Sequence, residues 1–426
     1  MSGQMAARPD RDGTARLREQ IRAAIDAGGE IGDDELMRTV EQAVDRWEGS
    51  ARLVSSERLR LVRQLFHSFR GLDVLEPLLQ DDSITEIMIN GHRQLFAERA
   101  GRVEPLREQF ESRERLEDLI QAIVAQVNRV VNESSPIVDA RLADGSRVHI
   151  VLPPASLSGP VVTIRKFPKQ PLLMDGLIAC GCLTDEAAAF LQRLVRAGFN
   201  IFVSGGTGSG KTTFLNALSR SIPEEERVVT IEDSAELQLQ APNLVRLETR
   251  NANTEGKGAL PMRQLIRASL RMRPNRIIVG EVRGEEAADM LAAMNTGHDG
   301  SMSSGHANSA KDMLGRLETM VLAAAELPVA AIRQQILSAV DIIVHLSRMR
   351  DHTRKVLEIC QLAGIEGGEI RLEPLFRFEP GPDGAARLRR TEAALRRSDK
   401  WERSGGGAPR SAAGGSSGKE GLEDGD

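Results

Sequence analysis

Apolar residues along the first seventy positions recur every third or fourth residue, and this spacing predicts helices. Leu17, Ile21, Ala24 and Ile25 lie on one face; Leu36, Val40, Val44 and Trp47 repeat the pattern after a turn at Gly28, Gly29 and Gly32. A third helix is expected from about Ser55, with Leu59, Val62, Phe66 and Phe69 inward. Residues 14–70 therefore read as a small helical bundle or docking segment, and the polar residues 1–13 as disordered. From 71 to 167 the pattern becomes mixed α/β. Strands are expected at 84–89 and 94–96, with a turn at Asn90 and Gly91, followed by a helix at 112–129 facing inward through Leu116, Leu119, Ile120, Ile123 and Val127. A hairpin turns at Asp144 and Gly145, returns through 148–152 and stops at Pro153 and Pro154; a last short strand spans 161–164.

Residues 168–183 read as a linker. Beyond it, from 184 to 378, short apolar runs alternate regularly with helical periods. Strands are expected at 201–204, 228–232, 244–248, 276–280, 301–304, 341–347, 355–363 and 369–372. Helices are expected from Thr184 to about Ala197 and at 211–220, 261–271, 285–294, 309–324 and 328–338. Such alternation indicates a mainly parallel sheet of the P-loop type. The polar, glycine- and serine-rich stretch 379–426 reads as a flexible tail.

Composition adds mainly exclusions. The chain has 426 residues, 56 of them Lys or Arg and 61 Asp or Glu, for a formal net charge of −5. That balance gives no reason to expect nucleic-acid affinity. Three cysteines, Cys180, Cys182 and Cys360, cannot supply a four-cysteine zinc frame, and their scarcity suits a reducing cytosol. No apolar run reaches the ~18 residues of a membrane span, and the N-terminus lacks a signal core. A cytoplasmic protein, at most peripheral to a membrane, is expected.

The chemistry concentrates at FNIFVSGGTGSGKTTF, residues 199–214. Gly205, Gly210, Lys211 and Thr212 fit the G-x-x-x-x-G-K-[ST] phosphate loop, with a strand before and a helix after. Glycines let backbone N–H groups curl around a phosphate, Lys211 reaches the β and γ oxygens, Thr212 offers a hydroxyl to Mg²⁺, and the helix start adds its positive dipole end.

Three further stretches follow. In VVTIEDSAEL a strand delivers Glu232 and Asp233 at its carboxyl end, with Glu236 beyond; such acids hold Mg²⁺ through water or orient an attacking water, and alone they read equally as an acidic helix start. In RIIVGEVRG, glycine (Gly280) stands where a metal-binding aspartate is usual after such a strand, which leaves Glu281 as the best general base. Arg283 there is placed to meet a γ-phosphate or a neighbouring subunit. In NTGHDGSMSSGHANS, His298 and His306 flank a short strand; without matching cysteine or acidic ligands, sensing of the γ-phosphate fits them better than a metal.

These four motifs, in this order, resemble the secretion ATPase superfamily: the motors of type II secretion, type IV pili and type IV secretion. LLQDDSITEIMING, DARLADGSRVHIVLPP, VVTIRKF, RASLRMRPNRIIVGEVRG, GHANSAKDMLGRLETMV and AIRQQILSAVDIIVHLSR look like the tight-adherence (Flp) pilus assembly ATPases, over roughly residues 70–378. The resemblance implies an α/β fold, with a RecA-like P-loop ATPase domain preceded by a smaller mixed α/β domain and an N-terminal helical segment. It implies a homo-hexamer at the inner face of the cytoplasmic membrane that uses ATP and Mg²⁺ and works with inner-membrane pilus platform proteins and the pilin export machinery. Gly205, Gly206, Thr207, Gly208, Ser209, Gly210, Lys211, Thr212 and Thr213 would bind the phosphates. Glu281 would be the catalytic glutamate, Glu232 and Asp233 would assist Mg²⁺ and water, and His298 and His306 would sense the nucleotide. Arg141, Arg147 and Arg165 match basic positions of the N-terminal half that close on the triphosphate; Arg267, Arg271, Arg273 and Arg283 are candidates for contacts across subunits. The tetracysteine zinc module of type II secretion ATPases is absent. A type IV secretion traffic ATPase and a nucleotide-gated scaffold with negligible hydrolysis are the alternatives.

Overall fold

A computed structural model of the chain describes residues 11–28, 32–47, 53–127, 129–167, 171–250, 252, 257–380 and 386–403. They fall into two compact units, Met1–Lys169 and Gln170–Asp426. The first opens with three helices, α1 (Arg11–Gly28), α2 (Asp33–Arg46) and α3 (Ser55–Arg70). Leu17, Ile21, Leu36, Val40, Val44, Leu61, Val62 and Leu65 form their common core. Two details differ from the sequence reading. Helix α1 starts at Arg11, inside the stretch expected to be disordered, whereas residues 1–10 lie outside the described residues. Helix α3 turns Leu61 and Leu65 inward and leaves Leu59 52% exposed, because its buried stripe lies on an adjacent face of the same period.

After α4 (Glu76–Gln80) come β1 (Ile84–Asn90), β2 (Leu95–Arg99), β3 (Arg102–Pro105), α5 (Arg113–Gln126), β4 (Ile137–Arg141), β5 (Arg147–Val151) and β6 (Val161–Arg165). The strands form an antiparallel sheet in the order β3-β2-β1-β6-β5-β4. Alternating Ile87, Ile89, Val148, Ile150, Val162 and Ile164 pack in one core with α5, at whose start the Ser112 hydroxyl accepts the Arg115 N–H. β3 escaped the sequence reading because all four of its residues are exposed and carry no apolar alternation.

The second unit contains α6 (Met174–Ala179), α7 (Asp185–Arg196), β7 (Ile201–Gly205), α8 (Lys211–Ser219), β8 (Val228–Glu232), β9 (Leu244–Glu248), α9 (Met262–Ser269), β10 (Arg276–Val279), α10 (Glu286–Met294), β11 (Met302–Gly305), α11 (Ala310–Ala324), α12 (Val329–Ala339), β12 (Ile342–Arg348), β13 (Arg354–Glu366), β14 (Glu369–Pro380), β15 (Ala386–Arg390) and α13 (Ser398–Arg403). Its sheet runs β15-β14-β13-β12-β7-β11-β10-β8-β9. From β12 to β9 every pairing is parallel, and β13 to β15 add an antiparallel extension. β7, β8, β10 and β11 are buried along their whole length, which explains why they read as solid apolar or small-residue runs. Among the described residues no single helix is long and apolar enough to cross a membrane.

The expected linker at 168–183 contains α6, which buries Met174 and Leu177 in the core of this unit. The expected tail likewise contains structure, β15 and α13, within its described residues 379–380 and 386–403. Leu388, Leu395 and Trp401 enter the same core, spaced too widely to show a period, while 404–426 lie outside the described residues. Trp401 is 4% exposed, lies 5.7 Å from Phe190 between ring centroids and receives the Arg193 guanidinium 4.0 Å over its face. Lys400 and Arg397 pair with the buried Asp341, Lys400 at 3.1 Å. Trp401→Ala is expected to lower the unfolding free energy by about 3–5 kcal/mol, the usual cost of deleting a buried large aromatic side chain. Urea denaturation measures it, and a loss below about 1 kcal/mol would mean that the segment packs without supporting the core.

Candidate active site

The phosphate loop leaves the carboxyl end of β7, which lies between β12 and β11 in the middle of the parallel strands. The carboxyl ends of such strands form the ligand crevice of open α/β sheets. Helix α8 begins at Lys211, directly after Gly210. Lys211 is buried, and its Nζ donates to the carbonyls of Gly205 (3.1 Å) and Gly206 (3.2 Å) and to Nδ1 of His306 (3.2 Å). Nε2 of His306 lies 2.8 Å from Oε1 of Glu281. An ammonium on Nδ1 makes that nitrogen the acceptor, so Nε2 carries the ring hydrogen and stands at ion-pair distance from Oε1 of Glu281, which is buried without a hydrogen-bond partner. Burial, the leading cause, lowers the His306 pKa against the pull of Glu281, consistent with a neutral ring. Glu281 accepts from Nη2 of Arg283 at 3.0 Å, and Nη1 of Arg283 stands 3.8 Å from Asp233. Lys211, His306, Glu281, Arg283 and Asp233 thus form one continuous polar chain, built from the carboxyl ends of β7, β11, β10 and β8.

Gly280 has a steric reason. A Cβ there would come within 2.9 Å of Cγ of Glu232, so the side chain of Glu232 fills the space that a residue larger than glycine would need. Oε2 of Glu232 accepts the backbone N–H groups of Glu236 (2.8 Å) and Leu237 (2.9 Å), while Oε1 is buried without a hydrogen-bond partner. Burial pushes the Glu232 pKa up to about 7, although the two amides pull it down. The sign follows from linkage: the raised value favours the neutral form, so this contribution to stability is complete below the ordinary carboxyl pKa of 4.5 and is lost as pH rises through about 7. In magnesium-free buffer, Glu232→Gln is therefore expected to gain on the wild type by on the order of 2–3 kcal/mol between acid and neutral pH. Denaturation at a series of pH values reads the difference; a pH-independent gap would overturn this assignment.

Asp233 sits at the exposed edge, with Oδ1 accepting from the Thr249 hydroxyl at 3.2 Å. Arg276, at the start of RIIVGEVRG, is structural: fully buried, it pairs with Glu226 and donates to the carbonyl of Val195. The two histidines separate. His306 follows β11 and reaches the loop, whereas His298 precedes β11 at the amino-terminal end of the strand, its Nδ1 3.1 Å from the carbonyl of Ala293. At ~3.3 Å rise per residue, the length of β11 separates His298 from the phosphate loop, so of the two histidines the structure brings His306 to Lys211 and leaves His298 apart. Arg267 bonds Asp289 at 2.8 Å, and Arg271 and Arg273 are exposed. In the first unit, Arg141 pairs in register with Arg147, and Arg147 with Arg165, so the three arginines project from one face of adjacent strands.

The sequence reading missed one group. Nε of Arg354 donates to the carbonyl of Gly208 in the phosphate loop at 2.9 Å, and Arg348 approaches the same glycine. The only sequence signal was the alternation of basic residues in RMRDHTRK, between two strand patterns.

A family model described as Type II/IV secretion system protein matches residues 69–389. The chain is 37% identical over 322 residues to the Type IV secretion system protein PtlH homolog of Bordetella bronchiseptica, an alignment covering 69% of this chain and 95% of that protein. It is 33% identical over 331 residues to the conjugal transfer protein TrbB of Rhizobium radiobacter, covering 75% of this chain and 96% of the relative. In fold it is similar to the ATPase DotB of Yersinia pseudotuberculosis, with a TM-score of 0.50 at 19% identity, covering 68% of this chain and 77% of that one. The expected fold class, α/β with a RecA-like P-loop domain after a smaller mixed domain, is the one observed. With a match that takes in the phosphate loop, Glu281 and His306, the chain belongs to the Type II/IV secretion system protein family.

Proposed function

We propose that this chain is the ATP-hydrolysing motor subunit of a secretion or pilus machine. The observation that carries the reading is the chain Lys211–His306–Glu281, in which the imidazole of His306 lies between the phosphate-loop lysine and a carboxylate, 3.2 Å from one and 2.8 Å from the other. Gly205 to Thr213 and Lys211 would hold the phosphates. Glu281 would take a proton from water as its oxygen bonds to the γ-phosphorus and the bond from that phosphorus to the β–γ bridging oxygen breaks. His306 would hold Glu281 in line and register the γ-phosphate through Lys211. Arg283, on the far side of Glu281, is placed to balance the charge or to meet a neighbouring subunit.

Mg²⁺ fits these residues. The orphaned, buried Oε1 of Glu232 needs a partner, and Asp233 and the Thr212 hydroxyl supply further hard oxygen. Among the described residues no cluster of three or more His, Cys, Asp or Glu side chains suited to a metal occurs, so phosphate oxygens and waters would have to complete the coordination of Mg²⁺. When bound, Mg²⁺ would neutralise phosphate charge.

The matched register of Arg141, Arg147 and Arg165 supports a basic face that closes on the triphosphate, and movement of that domain against the RecA-like one would be the mechanical output. The working form would be a homo-hexamer, cytoplasmic and peripheral at the inner face of the membrane. For the machine served, the quoted motifs favour a tight-adherence (Flp) pilus, with pilus platform proteins and the pilin export machinery as partners. The relatives named for conjugal transfer and type IV secretion favour a secretion traffic ATPase about as well. A deletion strain separates them: loss of surface pili with secretion intact supports the pilus motor, whereas intact pili with loss of an exported protein or of DNA transfer supports the secretion motor. Stimulation of phosphate release by vesicles carrying the cognate polytopic membrane protein tests the motor reading itself.

A further inference from the structure

The turn between β12 and β13, with the start of β13, lies beyond the quoted motifs, and the proposed mechanism does not use it. Leu346 pairs with Gly205 at the end of β7, so β12 runs on past that strand and carries its turn alongside the phosphate loop. Arg348 and Arg354 are the closing pair of the hairpin. The turn between them is pinned: Met349 N–H donates to Thr353 O at 2.7 Å, and Oδ1 of Asp351 accepts from the N–H (3.0 Å) and hydroxyl (2.7 Å) of Thr353. The start of β13 is anchored as well, by Lys355 Nζ on the carbonyl of Gly181 (2.5 Å) and Val356 N–H on that of Cys182 (2.9 Å). A fixed hairpin therefore presents Arg354 to the loop. Its Nε donates to Gly208 O at 2.9 Å, and its Cδ lies 3.2 Å from where a Cβ on Gly210 would stand. Nη1 of Arg348 is 3.8 Å from the Cβ position of Gly208, and its Nη2 is 3.2 Å from Nδ1 of His352.

We propose that Arg354 is a positioning residue for nucleotide binding: its guanidinium braces the outside of the phosphate loop and holds it in the form that receives phosphate. Two physical effects follow from the one contact. Gly208 (φ +70) and Gly210 (φ +94) are in the left-handed region that glycine reaches at little cost, and the bond from a rigid hairpin to the Gly208 carbonyl, with Cδ of Arg354 packed beside Gly210, removes part of the loop's freedom before nucleotide arrives. A cation on the Gly208 carbonyl also polarises the Gly208–Ser209 peptide and so strengthens the bond that the Ser209 N–H donates to the Gly206 carbonyl (3.3 Å), which closes the loop on itself. Arg354 thus acts on the opposite side of the loop from Lys211 and His306, and touches the loop backbone rather than the reacting atoms.

This inference rests on the nucleotide reading, and one titration separates the two. Fluorescent ATP-analogue binding and steady-state phosphate release are measured for the wild type and for Arg354→Met, Arg354→Lys and Arg350→Met. Arg354→Met is expected to weaken binding about tenfold, or ~1.4 kcal/mol, with most of the kinetic effect in KM rather than kcat. Arg354→Lys should recover part of the loss, because it keeps the charge but not the planar donor geometry. Arg350, exposed on the same hairpin, controls for charge alone, and its variant should bind like the wild type. Binding by Arg354→Met within twofold of the wild type, or an equal loss in Arg350→Met, overturns the inference. A wild type that binds no analogue overturns the nucleotide reading together with it.

Discussion

Lys211→Ala is expected to abolish ATP turnover, with a fall in phosphate release of at least about a hundredfold and a large loss of nucleotide affinity. The reason is positional as well as electrostatic. Nζ sits on the carbonyls of Gly205 and Gly206 and bonds His306, so it links the loop to the chain that ends at Glu281. Removing a preorganised cation from a buried site costs on the order of 10²–10³ in rate even for a single donor, and here its loss also unpairs Nδ1 of His306. Arg283→Ala, which removes an exposed neighbour and leaves this link in place, should cost less. Phosphate release and analogue binding on matched preparations check both. Turnover by Lys211→Ala within tenfold of the wild type would break the assignment of the loop.

Glu281→Gln is the second large effect, and it splits binding from chemistry. Glutamine keeps the size and a carbonyl oxygen beside Nε2 of His306 but cannot accept the proton of the attacking water. ATP binding should stay within a few-fold of the wild type while turnover falls about 10²–10⁴-fold, the usual contribution of a positioned general base. Because Glu281 is partly buried between an imidazole and a guanidinium, the loss of charge should also loosen Arg283, which thermal melting would register as a small shift. Near-normal phosphate release by this variant would assign the base elsewhere, and Glu232 is the nearest other candidate by burial and raised pKa.

Much of this site was legible in the sequence because its parts are local. A phosphate loop declares itself through glycine and lysine spacing, and the acids at 232, 233 and 281 follow apolar runs whose ends a parallel sheet must gather on one edge. Direction along a strand was harder. His298 and His306 looked equivalent as flanks of β11, yet only the residue after a parallel strand reaches the loop. Contacts set by strand order were out of reach: Arg354 and Gly208 lie 146 residues apart and meet only because β12 neighbours β7. The meaning of Gly280 was hidden for a similar reason, since its lack of a side chain answers to Glu232 on the neighbouring strand β8. The C-terminal segment misled because Leu388, Leu395 and Trp401 are too sparse to show a period, although each is buried. Burial there comes from docking onto an existing core.

The central claim, that the linked lysine, histidine and glutamate make a hydrolytic site, is tested most directly by phosphate release from the purified wild-type chain at saturating ATP and Mg²⁺, with Lys211→Ala as background. The account predicts repeated turnovers per subunit in the wild type and none above background in the variant. ATP bound tightly by the wild type, with phosphate released no faster than from Lys211→Ala, would contradict it and leave a nucleotide-gated scaffold.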